Sequence, residues 1–337
     1  MNESAEPESF PVAAEPVAPP PMSHAASIAN RMREQIERAV LGQREVIHQV
    51  LAALLAGGHV LLEGKPGLGK TQLVLAMARS FGGHFGRIQF TPDLMPSDVT
   101  GFRLFDMKSQ TFQLRHGPVF THLLLADEIN RAPAKTQSAL LEVMQERQVT
   151  IDGETLPLSP PFMTLATQNP IEHEGTYPLP EAQLDRFLMK VLLDYPEAQS
   201  EREIVSRSAA EAPGQSPVAK VEMVASPEDI VRAQAETAAV RVVTEVVDYA
   251  VAIVQATRSS RAVALGAGTR GAIALVRIAK AIAILHGRDY VIPDDIKAAS
   301  LPVLRHRVQL APEVAIGGQG VDEILRNLVD SVPAPRQ

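Results

Sequence analysis

The sequence predicts an α/β core followed by an all-helical segment, and three observations carry that prediction. The first is the stretch His59-Val60-Leu61-Leu62-Glu63-Gly64-Lys65-Pro66-Gly67-Leu68-Gly69-Lys70-Thr71, in which a short apolar run feeds a glycine-rich turn and then a helical pattern from Gln72 to Arg79. The second is Leu123-Leu124-Leu125-Ala126-Asp127-Glu128, a buried-strand pattern ending in two acids. The third is the region after Ser226, where Val243, Val246, Ala250 and Ile253, then Leu275, Ile278, Ile282 and Leu285, recur at helical spacing.

A glycine-rich turn can join any strand to any helix. Here the G-x-x-x-x-G-K-T match comes with both flanking elements that a phosphate-binding loop requires. Gly64, Gly67 and Gly69 let successive N–H groups point inward at the positive end of the following helix, which suits a triphosphate. On that reading Gly64, Lys65, Pro66, Gly67, Leu68, Gly69, Lys70, Thr71 and Gln72 surround the phosphates. Lys70 reaches the β- and γ-phosphates and the Thr71 hydroxyl ligates Mg²⁺. Asp127 would hold the same ion through its water shell, and Glu128 would activate the attacking water.

Bulk composition narrows the class. The chain has 337 residues, a net charge of −7 and 45% hydrophobic residues, which suits about two domains with a sizeable core. It has no cysteine, which removes disulfides and thiolate metal sites and fits a reducing compartment. The acidic balance argues against a general nucleic-acid binder. No apolar run approaches the ~20 residues of a membrane-spanning helix, and the N-terminus lacks the basic-then-apolar layout of a secretory signal. A cytoplasmic protein is expected.

Along the chain, residues 1–25 read as a disordered tail rich in Pro, Ala and Glu, 26–197 as the nucleotide-binding core and 198–337 as the helical domain. Ile28, Met32, Ile36 and Val40 predict a first helix from Ser27, and Val46 to Leu55 a second. Arg87 to Phe90 reads as a strand, and the segment Val191 to Pro196 closes the core. Ala209 to Ala219 looks like a connection. Ser226-Pro227-Glu228-Asp229 and Pro293-Asp294-Asp295-Ile296 are helix starts.

Two hairpins interrupt the strand–helix alternation. Phe102 and Leu104, then Phe112 and Leu114, alternate about Lys108-Ser109-Gln110, and Val149 and Ile151, then Leu156 and Leu158, alternate about Asp152-Gly153. Apolar residues such as Phe102, Phe112 and Ile151 are expected to pack on the body or touch a partner.

Further candidates follow from residue type. Phe162 to Pro170 is an apolar strand ending in amides, and Asn169 could hold the water or the γ-phosphate without adding charge. Arg186 could stabilise charge on the γ-phosphoryl oxygens. Arg131 either lines a subunit interface or pairs with a nearby acid. Arg305-His306-Arg307 reads as charged surface of the helical domain. His59, His84 and His122 show no ligand spacing, which argues against a transition-metal site.

Gly64 to Thr71, Asp127-Glu128-Ile129-Asn130-Arg131-Ala132-Pro133, Ala166-Thr167-Gln168-Asn169-Pro170 and Glu181-Ala182-Gln183-Leu184-Asp185-Arg186-Phe187, in this order, resemble the MoxR family of AAA+ ATPases. The match runs from about Val40 to Leu310. The resemblance implies an αβα core with a parallel sheet, a helical lid, ATP and Mg²⁺ as cofactors, and a homo-oligomeric ring, usually a hexamer. It assigns Lys70 and Thr71 to Walker A, Asp127 and Glu128 to Walker B, Asn169 to sensor 1 and Arg186 to a finger given to the neighbouring subunit. Arg270, in Gly266-Ala267-Gly268-Thr269-Arg270, becomes the sensor 2 candidate. Where the family pattern has a proline before that arginine, this chain has Thr269. The two hairpins fall where the family carries inserts facing the ring's centre.

The function implied is a chaperone-like remodelling ATPase that matures or activates protein clients with a partner bearing a von Willebrand factor A domain. A metal-chelatase motor subunit and a nucleic-acid motor of the same superfamily are the alternatives. Nucleic acid is the less favoured partner, because no DNA-binding module follows the lid.

Overall fold

The fold was taken from a computed structural model that describes residues 23–65, 67–168, 176–210 and 216–335. The expected N-terminal tail lies almost wholly outside the described residues. So do Pro66, Asn169 and the middle of the connection expected between Ala209 and Ala219.

Two helices lead in, α1 (His24–Ala39) and α2 (Arg44–Leu55). The first starts earlier than its apolar spacing predicts, because the Ser23 side chain accepts from the Ala26 N–H and caps it. The core then alternates β1 (Val60–Gly64), α3 (Lys70–Ser80), β2 (Phe85–Gln89), the short α4 (Pro96–Thr100) and the hairpin β3 (Gly101–Asp106) with β4 (Thr111–His116). It continues through β5 (Leu123–Asp127), α5 (Ala134–Glu146), the hairpin β6 (Gln148–Ile151) with β7 (Glu154–Pro157), β8 (Met163–Gln168), α6 (Glu181–Leu184) and β9 (Met189–Leu193).

Five strands form one sheet in the order β2-β5-β8-β1-β9, and every neighbouring pair is parallel. Helices cover both faces, so the inner strands are apolar without alternation. The two faces nonetheless read out along each strand. Val60 and Leu62, Leu123 and Leu125, and Leu165 join one apolar cluster with α1, α2 and α3. Leu61, Leu124, Ala126 and Ala166 join a second cluster with α5.

The rest is helical: α7 (Ala198–Ala210), α8 (Pro227–Ala238), α9 (Thr244–Ser259), α10 (Thr269–Leu285), α11 (Pro293–Leu304), α12 (Pro312–Ile316) and α13 (Val321–Ser331). A two-stranded ladder of β10 (Val263–Leu265) and β11 (Gln309–Leu310) ties it together. Ser226 and Asp229 form a reciprocal capping box at the start of α8. Val243 differs from expectation: it is the cap of α9 and 57% exposed, while Val246, Ala250 and Ile253 are buried. The first apolar cluster runs unbroken from α1 into α8–α11 and α13, and the Ala25 N–H donates to Glu236 Oε2 across that join at 2.9 Å. Among the described residues no helix is long and apolar enough to cross a membrane.

Both hairpins form as expected. Asp152 and Gly153 take φ of +50° and +82°, the paired left-handed conformation that a two-residue turn needs. They differ in burial. Val149 and Ile151 are buried against the α5 side of the core, whereas Phe102 and Phe112 remain exposed.

Candidate functional site

The phosphate loop leaves β1 at Gly64, where a Cβ would meet Leu193 O of β9 at 2.7 Å. Gly67 and Gly69 take φ of +83° and +80°, and a Cβ at Gly67 would find no atom within 4 Å. The loop therefore encloses an open cradle at the N-terminus of α3, whose first N–H groups have no acceptor within the helix. The Lys70 ammonium donates back to Gly64 O, inside the loop. Burial lowers its pKa, and Asp127, Glu128 and Glu63 oppose that shift. Thr71 sits half-buried in the first turn of α3. The Gln72 side chain is turned away to Ala39 O at 2.8 Å, which leaves its backbone N–H for a phosphate. The Lys65 ammonium lies over the Tyr195 ring, 4.7 Å from its centroid.

The two acids, Asp127 closing β5 and Glu128 just after it, lie at the same end of the sheet. Thr167 of β8 donates to Asp127 Oδ1 at 2.7 Å and accepts the Glu128 N–H at 2.9 Å. That second bond holds Glu128 with φ +58°, a left-handed backbone that a non-glycine residue adopts at a cost of about 1–3 kcal/mol. On the other side β2 presents two polar side chains. Arg87 Nη2 donates to Asp127 Oδ2 at 2.7 Å, and Gln89 Nε2 donates to Glu128 Oε2 at 2.8 Å. Arg131 Nη1 lies 3.2 Å from Glu128 Oε2, an ion pair that matches one of its two expected roles.

These acids fit Mg²⁺. The ion keeps several waters and binds one or two carboxylates plus phosphate oxygens, and Thr71 and Asp127 offer such a partial set. Among the described residues no group of three or more His, Asp or Glu side chains is poised around a metal position. Beside the loop, a cavity of about 340 Å³ is walled by Val40, Leu41, Pro196 and Ile204 and edged by Arg38 and Arg207, which suits a flat heterocycle.

Arg186 and Arg270 are elsewhere. Register between β1 and β9 pairs Val60 with Met189 and Gly64 with Leu193. Arg186 precedes β9, so it lies at the opposite end of the sheet from the phosphate loop, about 16 Å away over five strand residues. Arg270 opens α10 at that same far end, with Nη1 3.6 Å from Asp185 Oδ2. A cavity of about 330 Å³ gathers Arg147, Arg186, Arg270, Arg277 and Arg307 with one carboxylate, Asp185. Its floor is the turn before β1, where Arg147 Nη2 donates to Gly57 O at 3.0 Å and Arg277 Nη2 to Ala56 O at 2.5 Å.

Comparison with known proteins decides the family. Residues 59–189 match the model of the ATPase family associated with various cellular activities (AAA), and residues 255–328 match that of the AAA lid domain. Chaperone MoxR1 of Mycobacterium tuberculosis is 44% identical over 90% of this chain and 81% of its own. The chain belongs to the MoxR family of AAA+ ATPases. An uncharacterized Bacillus subtilis protein, YeaC, is 49% identical over 90% of this chain and 94% of its own. A crystal structure of a presumptive ATPase from Cytophaga hutchinsonii superimposes with a TM-score of 0.85 at 40% identity, covering 93% of this chain and 97% of that one.

Membership of the MoxR family brings ATP binding with it, and it sharpens what the residues add. Arg305-His306-Arg307 is not the exposed charged surface expected of it: His306 and Arg307 are buried against the turn that leads into β9. Sequence reasoning also missed Arg87, Gln89 and Thr167, which hold the MoxR-type acids. The signal was available for the first two. Residues 87 and 89 share one face of a strand, and two polar side chains on one face beside an apolar strand mark a site.

Proposed function

We propose that this chain is a Mg²⁺-dependent ATPase of the cytoplasm that assembles into a closed ring, hexameric by resemblance to its family. In this reading it remodels or activates protein clients together with a partner bearing a von Willebrand factor A domain. The observation that supports it most is the separation of Arg186 and Arg270 from Lys70 by the length of the sheet. Guanidiniums suited to a γ-phosphate lie too far from the subunit's own phosphate loop to serve it. A head-to-tail contact between two copies would bring one subunit's arginines to the next subunit's nucleotide, and such contacts close into rings.

Roles then follow. Gly64 to Gln72 hold the phosphates, with Lys70 against the β- and γ-groups. Thr71 and Asp127 would hold a Mg²⁺ ion, which would supply positive charge against the transferred phosphoryl group. Glu128 accepts a proton from the attacking water, held meanwhile by Gln89. Asn169 orients that water. Arg186 and Arg270 act on the neighbour's nucleotide, which makes sensor 2 a trans residue. The purine occupies the cavity walled by Val40, Leu41, Pro196 and Ile204.

Calorimetry and phosphate release test the core of this reading. Lys70→Ala should abolish measurable nucleotide binding. Glu128→Gln should bind ATP normally and lose about 10²–10⁴-fold in turnover, since an amide takes no proton. A glutamine variant that hydrolyses at the wild-type rate removes Glu128 from the mechanism.

A further inference from the structure

Arg307 is 8% exposed and sits just beyond α11, yet most of its hydrogen bonds leave the lid. Its Nε donates to Asp185 Oδ1 at 2.8 Å, its Nη2 to Asp185 O at 3.3 Å and to Phe187 O at 2.7 Å, and its Nη1 to Leu188 O at 3.2 Å and to Val303 O. A guanidinium has five N–H donors in a planar fork, and here each one has an acceptor. Four of the five go to Asp185, Phe187 and Leu188, on either side of Arg186, and the fifth anchors the fork to its own helix. Arg186 itself, between these tethered neighbours, is exposed.

The residues beside Arg307 reinforce the grip. Arg305 Nη1 donates to Lys190 O at 3.2 Å, and His306 Nε2 packs 2.7 Å from Arg307 Nη1 and 3.1 Å from Phe187 O. From the start of α10, Arg270 shares the second oxygen of Asp185. Two lid helices therefore converge on the one turn that presents Arg186. A fully satisfied planar fork leaves that turn little freedom to shift unless the end of α11 shifts with it.

We propose that Arg307 is a positioning residue for Arg186: through Asp185, Phe187 and Leu188 the lid of one subunit sets where its arginine meets the next subunit's nucleotide. The consequence is directional. A change in lid angle in one subunit alters turnover in its neighbour's site rather than in its own. This rests on the reading of Arg186 as acting in trans, and the two fail differently.

The experiment uses Arg307→Lys, which keeps a charge but offers three donors where the fork uses five. Because a displacement of about 1 Å can cost about 100-fold in rate, kcat should fall roughly 10- to 100-fold while ATP affinity stays within about twofold. Co-expression with Lys70→Ala subunits, which bind no nucleotide but carry an intact Arg307 and Arg186, should restore turnover in those Arg307→Lys subunits that come next after a Lys70→Ala subunit and receive its arginine. A structural role would not produce that recovery. Arg186→Ala mixed in the same way is the control. Wild-type kcat in Arg307→Lys overturns the proposal, and so does a loss that mixing leaves unrescued while Arg186→Ala is rescued. If Arg186→Ala itself keeps wild-type turnover, the trans reading falls and takes the proposal with it. Should Arg307→Lys fail to assemble by light scattering, Asp185→Asn serves in its place, because it keeps the backbone acceptors and removes only the paired charge.

Discussion

The two ends of the central sheet carry opposite chemistry. Where β1, β5 and β8 end, Glu63, Asp127 and Glu128 surround Lys70 beneath a glycine cradle. Where β1 and β9 begin, Arg147, Arg186, Arg270, Arg277 and Arg307 surround a single acid, Asp185. The acidic end can hold a cation and accept a proton, but its carboxylates repel the charge that spreads over a phosphoryl group in transfer. The basic end can stabilise that charge but offers no base. On the proposed reading neither end is a complete hydrolytic site, and the strands between them keep the halves apart within one subunit.

The sharpest way to break this comparison is to remove one end. Arg186→Ala should leave ATP affinity unchanged in the subunit that carries it and lower turnover by about 10³-fold, the lower range for loss of such an arginine. Arg270→Ala should lower it less, because its guanidinium is already shared with Asp185. Titration calorimetry and steady-state phosphate release measure both quantities. Weakened nucleotide binding in Arg186→Ala alone would mean that the two ends are not separate.

The acidic end was legible in the sequence to a greater extent than the basic end, for a physical reason. A phosphate loop is local: Gly64, Gly67, Gly69, Lys70 and Thr71 lie within eight residues, and backbone sterics alone restrict what they can form. The Asp152-Gly153 turn was legible on the same ground. The cluster around Asp185 joins residues more than a hundred positions apart, and helical spacing shows which face of α11 is apolar without showing which strand it meets. Arg307 therefore reads as surface, because charged residues are almost never buried unless paired and its partner Asp185 is remote. Residue type pointed to Arg186 and family resemblance to Arg270; their shared place at the far end came only with the register of β1 and β9.

A second test exploits buried histidines, which stand at the basic end. His59 precedes β1, Nε2 donating to Met144 O at 2.9 Å and Nδ1 accepting the Thr164 N–H at 2.9 Å. Burial lowers its pKa to about 4, and Arg147 and Arg277 push in the same direction. His306 is lowered as well, chiefly by burial and then by Arg307. Between pH 6.5 and about 4 the unfolded chain binds protons at His59 that the folded chain refuses, so stability falls as pH falls through that window. For His59 alone the full loss is about 3 kcal/mol, at roughly 1.4 kcal/mol per pKa unit. Hydrogen exchange at pH 5 and pH 7 should show β1, β9 and the end of α11 losing protection ahead of α3. Uniform loss across the sheet would remove the link between the basic end and acid sensitivity.

The smallest expected effect on hydrolysis, and the one that separates hydrolysis from remodelling, lies in the exposed hairpin. Phe102 is 45% exposed, Phe112 67% and Met107 83%, and Phe105 meets Phe112 edge-on across the ladder with ring centroids 5.2 Å apart. An isolated two-stranded pair is marginal in water, and an apolar group left in water forgoes the stabilisation that burial would bring. The second hairpin resolves this by packing Val149 and Ile151 into the core, and an ion pair between Arg103 and Glu154 links the two. Only the first keeps its aromatic residues outside, which fits a surface that meets a client or partner. Replacing Lys108-Ser109-Gln110 with a short glycine linker should spare folding, because loop-closure entropy changes slowly with length. Since none of the residues gathered at either end of the sheet lies on β3 or β4, basal ATPase activity should change less than about twofold, while stimulation by a client or partner should be lost; the twofold limit corresponds to about 0.4 kcal/mol in barrier height. Intact stimulation in an assembled ring would assign the hairpin to subunit packing, whereas a large fall in basal turnover would show that it helps to build the composite site.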